Sequence, residues 1–352
     1  MEDVPTCCLC GSDGCSSLFA VRDRLYDLAG EFALVRCTSC GLIRLSPRPT
    51  PETLPSYYPE ESYYAYRETS APTGPPPVRG LRTRLRDGAR AAALSSIGYP
   101  SDDLPPLVTA VGRRWTTKSL LRLATYGNRG FPDYVSGGRA LDVGCGNGAF
   151  LALLARHGWN VVGVDASPAA SRAAAAQGVE VHVGDLQSAG LAPRSFAYIR
   201  MSHSIEHVWD PVDTLRTAYE LLEPGGRIFV ETPNIGSLLA RKCGTYWYPL
   251  ETPRHLWLFD PQTLKRSLST AGFDVTSVDS KSFGGRPLSA LRWESTYRAE
   301  EAQGHLLAHR PVLDRQDLAR AIWLEGAAAA SRLVHPDNDE IVYCWARRPL
   351  DS

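Results

Sequence analysis

The chain has no surplus of either charge: 38 Lys and Arg residues balance 38 Asp and Glu residues over 352 positions. A dedicated nucleic-acid binder carries a basic excess to meet phosphate, so no nucleic-acid partner is expected. Long apolar runs are also missing. None reaches the ~18 residues that a membrane-crossing helix needs, so no membrane span is expected. The stretch Met1 to Cys10 is polar and cysteine-rich, unlike a secretory signal, so a cytoplasmic location is expected. No internal repeat is visible. The length exceeds one average domain and suits a large domain with an accessory part. Such a chain buries a full core without covalent staples.

Cysteine, by contrast, is abundant: nine residues, six of them within the first 40 positions. A reducing compartment argues against a disulfide framework. Two stretches read Cys-x-x-Cys-Gly, namely Cys7 to Gly11 and Cys37 to Gly41. Thiolates at this spacing grip one tetrahedral ion, and the following glycine lets the backbone turn tightly beneath the sulfurs. Cys7, Cys10, Cys37 and Cys40 supply four ligands and leave no open position, which predicts a structural zinc. Cys8 competes with Cys7 as ligand, and Cys15 is spare. The spacer between the pairs is long for a zinc ribbon, a length that a hairpin absorbs. A redox pair, or four unrelated buried thiols, is the alternative.

Residues 1–68 therefore read as a metal module with a Tyr-rich tail (Tyr57, Tyr58, Tyr63, Tyr64, Tyr66). Residues 69–137 form a connecting segment. It holds the Pro-rich stretch Ser70 to Pro77 and then Arg79, Arg82, Arg84, Arg86 and Arg90, read as a solvated helix face. Residues 138–352 alternate short apolar runs with Ala- and Leu-rich helical stretches, the pattern of a doubly wound α/β sheet. Strands are expected at 139–143, 160–164, 180–183, 196–201, 227–231, 273–279 and 340–345. Helices are expected from the glycine loop through His157, at 168–177, at 210–222 and from Asp260 to Gly272. A helical insert is expected at about 284–335.

The strongest chemical signal is Leu141-Asp142-Val143-Gly144-Cys145-Gly146-Asn147-Gly148, between the first strand and first helix of this sheet. Glycines there admit a ligand close to the backbone, beside the free N–H groups of a helix start. Asp165 ends the second strand, where an acid accepts from ribose hydroxyls. Asp185 follows the third strand, within reach of an adenine amino group. The glycine spacing suits a dinucleotide or a single nucleoside. Asp142 separates them, because an acid there repels a pyrophosphate and favours a cationic ammonium such as that of S-adenosylmethionine. A nicotinamide-dependent oxidoreductase is the losing alternative. A non-catalytic zinc-containing binding protein on the same scaffold is a third reading, opposed by the intact acids and glycines.

With LDVGCGNG, VVGVD and SHSIEHV in place, residues 138 to about 280 and the last strand resemble the class I S-adenosylmethionine-dependent methyltransferases. The whole chain resembles a bacterial subgroup with an N-terminal zinc-binding module. The resemblance implies a Rossmann-like, seven-stranded, mostly parallel sheet with its last strand antiparallel. It implies that Gly144 and Gly146 cradle the methionine part, Asp165 the ribose and Asp185 the adenine. Cys145, Ala166 and Leu186 lie in the same cofactor site, and Ser202 and His203 lie against the cofactor.

His203, Glu206 and His207 leave the fourth strand of that sheet at its carboxyl edge, where ligands sit. Their string copies an inverted zinc-protease motif, but that motif needs a helix and this segment leaves a strand. Methyl transfer needs alignment and removal of a proton from a weak nucleophile, and histidine suits the second task. The cluster is thus a candidate base, a divalent-ion site or loop support. His255, after the aromatic stretch Tyr246 to Leu250, is a second candidate base, with Arg254 beside it as an anion clamp. The expected acceptor is a small molecule, an oxygen of a sugar or polar secondary metabolite, with carbon and nitrogen acceptors open.

Overall fold

The computed structural model describes residues 1–59, 94–95, 97–100, 130–281, 294–298, 319–320, 322–324, 327 and 339–351. The Pro-rich stretch, the arginines from Arg79 to Arg90, Tyr63, Tyr64, Tyr66 and most of the 284–335 insert lie outside them.

The C-terminal half forms a seven-stranded sheet. Its strands are β4 (Arg139–Val143), β5 (Asn160–Asp165), β6 (Glu180–Val183), β7 (Phe196–Ser202), β8 (Leu222–Pro233), β10 (Asp274–Lys281) and β11 (Ile341–Arg347). They lie in the order β10-β11-β8-β7-β4-β5-β6. The five inner-to-β6 strands run parallel, and β11 is antiparallel to both its neighbours. This is the Rossmann-like sheet expected from the alternating pattern. Near-continuous apolar runs such as Phe196-Ala197-Tyr198-Ile199 fit strands buried on both faces.

Helices start where the sequence supplies caps. Ser167 caps α2 (Pro168–Ala175) by accepting from the N–H groups of Ala169 and Ala170. Asp210 caps α3 (Pro211–Leu221), and Asp260 caps α5 (Pro261–Thr270) in a reciprocal box with Thr263. Each has proline in its first turn, where no N–H is needed. Several boundaries differ from expectation: helix α2 stops at Ala175 and not Gln177, and the last two strands run to Lys281 and Arg347. Helix α1 (Ala149–Ala155) ends two residues before His157. Strand β8 already begins at Leu222, and Glu223 to Gly226 form a register shift against β7 instead of a turn before the strand.

The N-terminal part forms a second sheet from β1 (Cys15–Val21), β2 (Phe32–Cys37) and β3 (Ile43–Leu45). Its fourth strand is β9 (Trp257–Leu258), which comes from the C-terminal half. Leu45 donates its N–H to Leu256 O at 2.9 Å. Trp257 is fully buried and donates its indole N–H to Val208 O at 3.1 Å. Burying a Trp contributes roughly 4 kcal/mol. One apolar cluster accordingly runs from Cys7, Leu34 and Leu45 through Trp257 to Leu141, Ile199 and Val230. Among the described residues no helix is long and apolar enough to cross a membrane.

Candidate cofactor, acceptor and metal sites

The glycine loop leaves β4 with Gly144, Gly146 and Gly148 all at positive φ (75°, 51° and 73°). A side chain on Gly144 would meet Ser204 Cβ at 2.6 Å, so the loop can pass this close to the β7 edge only as glycine. The N–H groups of Gly144 and Cys145 bond Val164 O, and Gly146 N–H bonds Asp165 Oδ2 at 2.8 Å. Asp165 Oδ1 accepts from Ser167 N at 2.9 Å. Asp165 thus stands at the end of β5 with its carboxylate aimed under the loop. Burial raises its pKa, and the two backbone donors oppose that rise. Cys145 is buried against Gly163, where a Cβ would come within 2.6 Å of the Cys145 sulfur. Ala166 and Asp185 are exposed and Leu186 is buried. Asp185 Oδ1 accepts from Ser188 N. Acid, glycine loop and acid therefore lie along the carboxyl ends of β4, β5 and β6.

Asp142 is buried, and both its oxygens accept from Arg200 Nη1, at 3.2 and 3.0 Å. Burial pushes its pKa up to about 6, with Arg200 opposing. Arg200 in turn stacks on Phe150 and lies 3.9 Å from Glu231, whose other oxygen meets Lys281 Nζ at 2.6 Å. Burial would raise Glu231, but Lys281, His203 and Arg200 hold it at about 2. Ser202 donates to Glu231 Oε1 at 2.6 Å. Arg200 was not anticipated. Its signal was there: a lone cation inside the apolar run of β7, one strand over from a buried acid.

Past β7 the backbone turns at His203, which takes a positive φ of 52°. His203 is partly exposed, and its Nδ1 stands 3.4 Å from Glu206 Oε1. Glu206 has no solvent exposure, and its other oxygen accepts from Thr232 Oγ1 at 2.9 Å. Burial opposes its charge, yet His203, His255 and His207 hold it down to about 2. The His203 pKa is raised: burial works against the charged form, but Glu206 and Glu231 outweigh it.

His207 and His255 meet edge to face, with centroids 4.6 Å apart. Burial pushes each down to about 4. His255 Nδ1 lies 2.9 Å from Pro249 O, and His207 Nδ1 lies 3.0 Å from Arg254 O. One ligand-capable atom from each of Glu206, His207 and His255 lies within 4.8 Å of the others, a spacing that a divalent cation can span; His203 stands outside this group. Glu251 was missed. It faces both Arg254 and His255, at 3.3 and 3.7 Å. Arg254, expected as an anion clamp, is fully buried and held by Asp23.

In the N-terminal module the sulfurs of Cys7, Cys10, Cys37 and Cys40 all lie within 4.8 Å of one another. Cys7 and Cys40 are 3.5 Å apart, as are Cys10 and Cys37. A zinc tetrahedron with bonds of ~2.3 Å has edges of ~3.8 Å, so the donor set fits. The two knuckles repeat one turn: Gly11 N–H bonds Cys7 O and Gly41 N–H bonds Cys37 O, each glycine at positive φ. Burial would raise the Cys37 thiol, but N–H groups of Cys40 and Ser39 bring it to about 6. Cys8 is outside the group, and the hairpin of β1 and β2 spans the long spacer.

The fold and glycine loop define a nucleoside-binding α/β enzyme, and the comparisons give its class. A family model for a methyltransferase domain matches residues 115–278. A ubiquinone biosynthesis O-methyltransferase of Rhizobium johnstonii is 32% identical over 190 residues, covering 51% of this chain and 75% of that protein. One from Ruegeria pomeroyi is 33% identical over 168 residues, covering 44% and 66%. An S-adenosylmethionine-dependent methyltransferase structure from Mesorhizobium loti shares 22% identity, covers 61% of this chain and 92% of that one, and has a TM-score of 0.40. The chain belongs to the class I S-adenosylmethionine-dependent methyltransferases. It is an enzyme of that class, and its methyl donor is S-adenosylmethionine.

Proposed function

We propose that this methyltransferase passes its methyl group to an oxygen of a small polar acceptor, a hydroxyl of a sugar or secondary metabolite, at the carboxyl edge of β7. The observation that carries the reading is the pair of a partly exposed His203 and a buried, ionised Glu206. In-line attack on the donor's sulfonium forms the oxygen–methyl bond and releases the donor as a neutral thioether. The acceptor hydroxyl must lose its proton as it attacks. His203 takes that proton, and Glu206 steadies the imidazolium that results, as a carboxylate does behind a catalytic histidine. The names of the relatives, which are O-methyltransferases, support oxygen over carbon or nitrogen.

In this reading Asp165, Gly144, Gly146, Asp185 and their neighbours hold the donor. A structural zinc at Cys7, Cys10, Cys37 and Cys40 holds residues 1–68 together. Residues 69–137 connect that module to the catalytic part, 138–352, within the reducing cytoplasm that keeps the thiols free.

A screen of hydroxylated sugars and aromatic metabolites with methyl-labelled donor, read by mass spectrometry, tests the proposal. An O-methylated product, lost in His203→Ala while donor affinity is kept, supports it. A product methylated at carbon or nitrogen overturns the oxygen assignment. Wild-type turnover by His203→Ala overturns the base assignment. Calorimetry that shows no binding of donor or demethylated product overturns the donor site.

A further inference from the structure

The glycine loop runs between two buried side chains, Asp142 two residues before Gly144 and Phe150 two residues after Gly148. One group touches both. The Arg200 guanidinium donates to both Asp142 oxygens and lies over the Phe150 ring, its central carbon 4.2 Å from the ring centre. Arg200 and Asp142 are register partners across the parallel pair of β7 and β4, so both side chains leave the same face of the sheet. Phe150 lies in the first turn of α1 and packs edge-on against Phe131, with 6.3 Å between ring centres.

On sequence grounds Asp142 is expected to meet the ammonium of the donor. Its position speaks for another task. The Asp142 side chain is only 1% exposed, and its charge is already matched. Arg200 faces Asp142 and, at 3.9 Å, Glu231, while Lys281 closes on the other Glu231 oxygen at 2.6 Å. Two cations thus meet two acids. Burial works against an ionised Asp142, as do the charges of Asp165 and Glu231, and Arg200 opposes all three. The charge of Asp142 is therefore held by Arg200.

We propose that Arg200 is a positioning residue of the donor site: it ties Asp142 to Phe150 and so clamps both ends of the glycine loop, with Asp142 as the anchor of that clamp and not a ligand of the donor's ammonium. The inference rests on the reading that Gly144, Gly146 and Asp165 hold the donor. Loop and ribose acid move together, because Gly146 N–H bonds Asp165 Oδ2 and the N–H groups of Gly144 and Cys145 bond Val164 O. A loop released from the clamp misplaces the nucleoside contacts as well as those of the methionine part.

The test uses the full chain and two ligands: the demethylated product, and methylthioadenosine, which keeps the nucleoside and sulfur but has no amino-acid end. Calorimetric titration reads both dissociation constants well below the melting temperature, with displacement for the weaker ligand. Asp142→Asn keeps the shape and removes the charge. It is expected to weaken both ligands by the same factor, roughly three- to tenfold. Arg200→Met also strands the acid and should weaken both roughly tenfold or more. Arg200→Lys returns a charge opposite Asp142 and should recover part of that loss. Phe150→Leu removes the stacked ring and no charge, and should weaken both ligands roughly two- to fivefold. If Asp142→Asn weakens the product alone, Asp142 is a ligand of the ammonium and the proposal is overturned, whether or not Arg200→Met folds. Unchanged affinity for both ligands in either Asp142→Asn or Phe150→Leu overturns it too. If Asp165→Ala then still binds both ligands weakly, only the clamp falls. If Asp165→Ala binds them as the wild type does, the reading of the donor site falls with it.

Discussion

Arg254 grips Asp23 with two nitrogens, Nη1 to Oδ2 at 2.9 Å and Nη2 to Oδ1 at 2.7 Å, and neither side chain has solvent exposure. The pair joins the loop between β1 and β2 to the segment that leads into β9. Removing one partner strands the other charge in a dry interior. Asp23→Asn and Arg254→Met are each expected to lower the unfolding free energy by about 3–5 kcal/mol. Urea denaturation reads this. The double variant should recover part of the loss, since Asp23 is then no longer stranded, while Glu251 still loses its arginine. Single variants within ~1 kcal/mol of wild type would show that the pair does not hold the two parts together.

The four thiols predict about one zinc per chain by elemental analysis. Cys37→Ser removes a thiol whose pKa its neighbouring N–H groups bring down to about 6. It should release the metal and lower the melting temperature. The same result is expected from a strong chelator applied to the wild type. Metal-free protein with unchanged melting would remove the zinc assignment.

Asp165 accepts from the Gly146 N–H, so it shapes the loop besides the ribose contact proposed for it. Asp165→Ala should weaken donor binding about ten- to a hundredfold, the effect of losing charge-assisted hydrogen bonds worth about 1.5–3 kcal/mol. Calorimetric titration measures it. An unchanged dissociation constant would move the ribose contact elsewhere.

Acid should loosen the fold between pH 6.5 and 4. The pKa values of His207 and His255 are depressed to about 4 in the folded chain, from 6.5, chiefly by burial. The unfolded chain therefore binds protons first. Stability from these groups is complete above pH 6.5 and is lost as pH falls toward 4, on the order of 3 kcal/mol per histidine. His203, raised by Glu206, acts in the opposite sense: its contribution is present below pH 6.5 and is lost as pH rises through its folded value. Melting temperature followed across this window should fall with acid, and His255→Gln should flatten the fall. Equal slopes in variant and wild type would show that His255 is not the group being titrated.

The large sheet was legible because its signals are local. Apolar runs such as Val161 to Val164, prolines after capping acids, and glycines in a fixed spacing each specify an element without help from distant residues. The cysteine pairs were legible for the same reason. What stayed hidden depends on contacts across long sequence separations. Trp257–Leu258 is too short to read as a strand and exists because β3 offers it an edge. Arg254 looked like a solvent-facing clamp because its partner, Asp23, is 231 residues away. His255 was picked out by residue type alone. Its meeting with His207 and Glu206 follows from the main-chain bonds of Leu256 and Trp257 to Glu206 O, which sequence spacing does not encode.

The sharing of β9 also bears on the order of assembly. The four thiols are all present once the chain has reached Cys40, so the knuckles can close early. Strand β3 finds its second neighbour only after Trp257 and Leu258 have been made. Until then it is an open sheet edge, the kind of surface that pairs with other chains. Sheet contacts this far apart in sequence form slowly. During synthesis the edge is bare while some two hundred further residues are added, and the interval ends only when the catalytic half folds back to cover it. Substitutions that slow folding of that half are therefore expected to appear first as aggregation through the N-terminal sheet.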